Sequence, residues 1–131
     1  MALELFMVGL IVQDMKASVE FYRHVGLEIP PGSEEHPAVE IKMTGMSLLL
    51  HARPTDFDAH YGEHVNVAAG TTGTYPQFLE FNLRERSAVE ATYARLVGLG
   101  YRSYREPYEA SFGPLFAMDY DPDGNLVLLS A

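Results

Sequence analysis

The sequence contains no cysteine, which excludes disulfides, thiolate nucleophiles and thiolate metal sites while leaving the compartment open. Basic residues are scarce. Nine Lys and Arg stand against eighteen Asp and Glu, for a formal net charge of -9. That balance argues against nonspecific binding to nucleic acid or to an anionic membrane, and it suits cationic ligands as well as plain solubility. Long apolar runs are missing too: the run from Leu5 to Val12 is far shorter than the ~20 residues a bilayer demands. Glu4 precedes that run, no basic residue does, and no small-residue cleavage site follows, so a secretory signal is not expected there. A glycine-rich phosphate loop after a strand, a serine nucleophile motif and a basic stripe are likewise absent from the sequence. The expectation is a soluble, cytoplasmic protein with no nucleic-acid or membrane partner. Its 131 residues suit one domain spanning the chain.

What is present is a repetition. Leu5 to Val12 has the length and composition of a buried strand, and Gln13-Asp14 stops it with a residue suited to capping a helix. Met15, Val19, Tyr22 and Val25 then recur at spacings of three and four, with Ser18 and Phe21 beside them, and Gly26 is placed to end the helix. About seventy residues later the pattern returns. Phe78 to Leu83 reads as a strand, Ser87-Ala88-Val89-Glu90 as a capping box, and Val89, Tyr93, Leu96 and Val97 as the apolar face of a helix from Ser87 to Leu99.

Between the copies, Leu27-Glu28-Ile29 reads as a short extended piece, and Pro30 to Pro37 as a loop that excludes regular structure. Ala38 to Met43 and Met46 to His51 read as a hairpin turning at Thr44-Gly45. After the second helix, Tyr101 to Tyr104 is a short strand and Arg105 to Ser111 a loop. Phe112 to Tyr120 then pairs with Asn125 to Ser130 through the strong turn Asp121-Pro122-Asp123-Gly124. Each half reads βαβββ. Module one occupies about residues 1–53, a linker about 54–75 and module two about 76–131.

The opening Val8-Gly9-Leu10-Ile11-Val12-Gln13-Asp14-Met15 through Ser18 and Phe21-Tyr22, together with the ending Asp121-Pro122-Asp123-Gly124-Asn125, resembles the vicinal oxygen chelate superfamily. That superfamily includes glyoxalase I, bleomycin-resistance proteins and extradiol dioxygenases. The resemblance covers nearly the whole chain and implies an α+β fold: two paired βαβββ modules forming a cupped, barrel-like mixed sheet with the helices outside. It also implies a homodimer, with the cup formed within one chain or across two.

In the metal enzymes of that superfamily the ligands are His, Gln and Glu on the inner face of the sheet. The resemblance places those positions on Met7, Leu49, Phe78 and Leu128, all of them apolar. A lone thioether among Leu and Phe does not hold a hard divalent cation. No metal, no cofactor and no catalytic residue are therefore expected, and the chain reads as a binder rather than an enzyme. The alternative is a metal-dependent lyase or dioxygenase with displaced ligands. Register matters here, because a slip of one residue would put Gln77 in place of Phe78; Leu79, Phe81 and Leu83 form the apolar set the helix layer needs, which argues against the slip.

By the same alternation the cup presents Met7, Gly9 and Ile11; Ser47, Leu49 and His51; Phe78, Glu80 and Asn82; and Leu126, Leu128 and Ser130. An apolar bowl with Glu80, Asn82 and His51 converging on it is the form of a small-molecule site. The candidate ligand-binding residues are Met7, Leu49, His51, Phe78, Glu80, Asn82 and Leu128, and the ligand expected is partly apolar and cationic or aromatic. The alternatives are that Glu80 pairs with an Arg or reaches solvent at the rim, that His51 merely ends a strand, and that the apolar positions close the cup into plain core. His60-Tyr61-Gly62-Glu63-His64, with Asp56 and Asp58 upstream, has the H-x-x-E-H form of a zinc site, but the interior glycine and linker position favour solvated histidines. Tyr104, Tyr108 and Phe112 either close over a ligand or pack their loop onto the sheet.

Overall fold

The computed structural model describes residues 4–52 and 77–131; the linker with Asp56, Asp58, His60 and His64 lies outside the described residues. By contact density the chain divides into two compact units. The first carries β1 (Met7–Val12), most of α1 (Met15–Val25), β2 (Ala38–Met43) and β3 (Met46–Ala52). The second carries β4 (Phe78–Asn82), α2 (Arg86–Gly98), β5 (Ser103–Glu109), β6 (Leu115–Tyr120) and β7 (Leu126–Ser130). The fold is α+β with two mixed sheets, ordered β1-β3-β2 and β4-β7-β6-β5. Neither sheet closes into a barrel among the described residues, which corrects that part of the expectation. The duplication is visible in the pairing: the first strand of each unit runs parallel to its last, β1 to β3 and β4 to β7, and the last strand of each also closes an antiparallel hairpin.

In the first unit, Asp14 Oδ1 accepts the Ala17 N–H at 3.1 Å and starts α1. Gly26, at a φ of 124° that side chains disfavour, lets the chain leave the helix. Leu10 and Val12 of β1, Val39 and Ile41 of β2 and Leu48 and Leu50 of β3 are buried, as are Val19, Phe21 and Tyr22 of α1. Each large apolar side chain so buried contributes about 1.5–3 kcal/mol. The hairpin turns at Thr44-Gly45 with Met43 opposite Met46, as the sequence implies.

Four expectations need correction. Leu27 to Ile29 joins no strand, so the first unit is βαββ. Arg23 is the reason: it donates to the carbonyls of Ile29 (3.1 Å) and Pro30 (2.7 Å) and pairs with Glu34 at 2.8 Å, tying the segment down while Pro30 and Pro31 have no N–H to offer a sheet. The loop after it does hold one turn of 3-10 helix, Ser33–Glu35.

The second helix begins at Arg86 with Glu85 as its cap residue, and no capping box forms at Ser87. The turn ahead of it is set instead by Asn82, whose Oδ1 accepts the Arg84 N–H at 2.7 Å and holds Arg84 at a φ of 71°. Finally, β5 runs through Ser103–Glu109, most of which reads as loop in the sequence. Pro107 sits inside it because β5 is an edge strand, and the ladder with β6 shifts register between Arg105 and Tyr108 around the proline. α2 lies chiefly along β6, with Val89, Thr92 and Leu96 buried.

Candidate functional site

Alternation along β2, β4 and β6 separates a more buried face from a more open one, while β7, the central partner of β4 and β6, is buried throughout. On β4, Phe78, Glu80 and Asn82 are exposed while Leu79 and Phe81 are partly covered. Phe78 is 54% exposed, a large apolar side chain left in the open. Across the second sheet these residues meet three rows: Phe78 faces Leu126 and then Tyr120, Glu80 faces Leu128 and then Met118, and Asn82 faces Ser130 and then Phe116. Opposed residues share a face, so the floor of the open side is apolar at its centre. Leu128 is only 4% exposed, held between Glu80 and Met118.

Glu80 stands on that floor with a fixed partner. Ser130 Oγ donates to its Oε2 at 2.8 Å, which orients the carboxylate while leaving the residue exposed. The pairing with an Arg considered above is thus replaced by a hydroxyl. Asn82 is committed elsewhere, through its carbonyl oxygen, to the turn at Arg84. The sequence gives no warning of that role beyond the short polar side chain next to a helix start.

In the first sheet, Met7 lies opposite Ser47, Gly9 opposite Leu49 and Ile11 opposite His51. Met7 and Leu49 are partly buried. His51 is 7% exposed, and its Nδ1 lies 3.1 Å from the Ala52 carbonyl. Ser47 Oγ donates to Glu40 Oε2 at 2.8 Å, so this sheet too carries a serine-held carboxylate. That pair borders an open recess of about 340 Å³ lined also by Glu4, Phe6, Lys42 and Met46. Of the expected cup residues, only Ser47 lines it.

The residues missed by the sequence reading are Phe116, Met118 and Tyr120. Their alternation with buried Ala117 and Asp119 marks them as open-face residues, a period-2 signal present in the chain. With them come the expected loop aromatics. Tyr108 and Phe112 make edge contacts with Phe116 at 5.9 and 5.7 Å, and Tyr104 does so with Tyr120 at 5.7 Å. Tyr104 and Tyr108 belong to the sheet itself, so neither is a lid. The guanidinium groups of Arg102 and Arg105 lie 3.9 and 3.4 Å from the ring centres of Tyr120 and Tyr108.

The metal positions implied by the superfamily do not fit a cation. Within the first unit they are a thioether and a leucine, within the second a phenylalanine and a leucine, and none supplies an oxygen or nitrogen donor. Among the described residues no three His, Asp or Glu side chains gather as a metal-binding group. No helix among them is long and apolar enough to cross a membrane.

None of the curated proteins compared with this chain matches it. Solved structures do. A hypothetical protein, SA1046 from S. aureus, is 20% identical with a TM-score of 0.75, over 100% of this chain and 94% of its own. A glyoxalase-related enzyme from Fulvimarina pelagi is 21% identical with a TM-score of 0.77, over 97% and 86%. A lactoylglutathione lyase from Agrobacterium tumefaciens is 23% identical with a TM-score of 0.62, over 96% and 91%. These likenesses are of fold. The family model for the Glyoxalase/Bleomycin resistance protein/Dioxygenase superfamily matches residues 4–129, and the chain belongs to that superfamily.

Proposed function

We propose that the protein binds a small, partly apolar, cationic or aromatic molecule on its open sheet face without a metal, and acts by sequestering it. One observation carries this reading. The exposed Glu80 carboxylate, oriented by Ser130, stands in one face with half-buried Met118 and exposed Phe78, with Leu128 buried between the strands. A carboxylate on an apolar and aromatic surface attracts an organic cation through charge, and the surface around it covers the cation's apolar body. The chain's charge of -9 favours approach of such a ligand. The same reading takes the protein to be a cytoplasmic homodimer, which sedimentation equilibrium checks.

The test is calorimetric titration with benzyltrimethylammonium and, in parallel, neutral benzyl alcohol. The cation should bind more tightly, and Glu80→Gln should weaken it about five- to tenfold, the worth of one charge pair in a wet site. Equal binding of the two probes, or indifference to the substitution, defeats the reading. The rival, a metal-dependent lyase or dioxygenase with displaced ligands, draws on the likeness to the lactoylglutathione lyase, with His51 of the first unit and Glu80 of the second each a separate candidate donor. Metal analysis of untagged protein separates the two. Stoichiometric metal that disappears in His51→Ala or Glu80→Gln would establish the rival.

A further inference from the structure

Asp119 is a side chain that the proposed site does not use. It stands on β6 between Met118 and Tyr120 and points the other way, to the face covered by α2, where it is 0% exposed. Neither carboxylate oxygen has a hydrogen-bond partner among the described residues. A buried, unpaired carboxylate is costly, whereas the neutral acid is tolerated far better.

Among the described residues, the elements packed against it supply no compensating charge. From β7, Val127 lies opposite, flanked by Leu126 and Leu128. From β5, Ser103 lies opposite; its hydroxyl is engaged with Tyr93 Oη of α2 at 2.7 Å. Arg102, just before β5, and Arg105 within it lie over the rings of Tyr120 and Tyr108. From α2 the inward residues are Val89, Thr92 and Leu96, and its Arg95 reaches Thr92 Oγ1 at 3.4 Å and not the carboxyl.

We propose that Asp119 is a proton-operated latch beneath α2: the neutral carboxyl keeps the helix seated on β6, and loss of its proton loosens that contact. Burial pushes the Asp119 carboxyl up from 3.8 to about 7, so the latch would switch in the physiological range. The sign follows from that raised value. The stabilisation is complete below the ordinary carboxylate range, declines as pH rises, and is gone once pH passes about 7. This inference is independent of the ligand proposal, since it concerns the opposite face of the strand.

The decisive measurement is the 13C titration of the Asp119 carboxyl in the intact protein, paired with amide hydrogen exchange of α2 and β6. The carboxyl should titrate near neutrality. The Asp119→Asn variant, a permanent mimic of the neutral acid, should keep α2 protected at pH 8, where the wild type loses protection about ten- to a hundredfold relative to it. A carboxyl titrating near 4, or α2 protection running parallel in the two proteins from pH 5 to 8, overturns the proposal. Should Asp119→Asn fail to fold, the wild-type titration alone decides.

Discussion

Ser130 does for Glu80 what a neighbouring cation does for most carboxylates on a sheet: it fixes the direction in which the oxygens point. The hydroxyl is nearly buried and the carboxylate is not, so the bond holds one oxygen and leaves the other available. Ser130→Ala is expected to cost only about 0.5–1 kcal/mol in urea unfolding, because water replaces the lost donor at an exposed acceptor. Its larger effect should be on ligand orientation, seen as weaker binding of benzyltrimethylammonium with little change in melting temperature. Most of this residue-level picture is legible in the sequence, since strict alternation settles which side chains of Phe78 to Asn82 face the open side. The Ser130 bond is not, because it joins residues fifty positions apart in sequence through a parallel pairing that no local pattern announces. Asn82 shows the same limit, since one amide oxygen suits a ligand and a turn equally well.

Among the elements, repetition makes the strands and helices legible, and the misreadings occur where a single side chain overrides a pattern. Pro107 suggests a loop, yet an edge strand with a bulge tolerates it. Leu27 to Ile29 suggests a strand, yet the Arg23 fork claims the carbonyl of Ile29 and that of Pro30 after it. The turn at Asp121 succeeds because its evidence is local: Asp121 Oδ1 accepts the N–H groups of Asp123 and Asn125, at 2.9 and 2.8 Å. Arg23→Ala should release the segment after α1 and destabilise the protein by about 1–2 kcal/mol through the two lost carbonyl bonds alone. It should also flatten one acid limb. The hydrogen bond from Arg23 holds the Glu34 carboxyl below its usual 4.5. That contribution is present above the usual value and is lost as pH falls through the lowered one, and chemical denaturation between pH 6 and 2.5 should show it in the wild type and not in the variant.

At the scale of the whole molecule two electrostatic effects oppose stability at alkaline pH, and salt tells them apart. Eighteen acidic residues against nine basic ones leave a diffuse negative charge that repels itself across the surface and is screened within about 10 Å at 0.1 M salt. Asp119 is a single charge shielded from solvent, and mobile ions do not reach it. Raising NaCl from 20 to 500 mM at pH 8 should therefore lift the melting temperature by about 2–5 °C through the surface alone. The loss on going from pH 5 to pH 8 should persist in high salt to the extent that it comes from Asp119, and Asp119→Asn should remove that residual part. If high salt erases the whole pH dependence in the wild type, the surface charge accounts for it and the buried carboxyl contributes nothing.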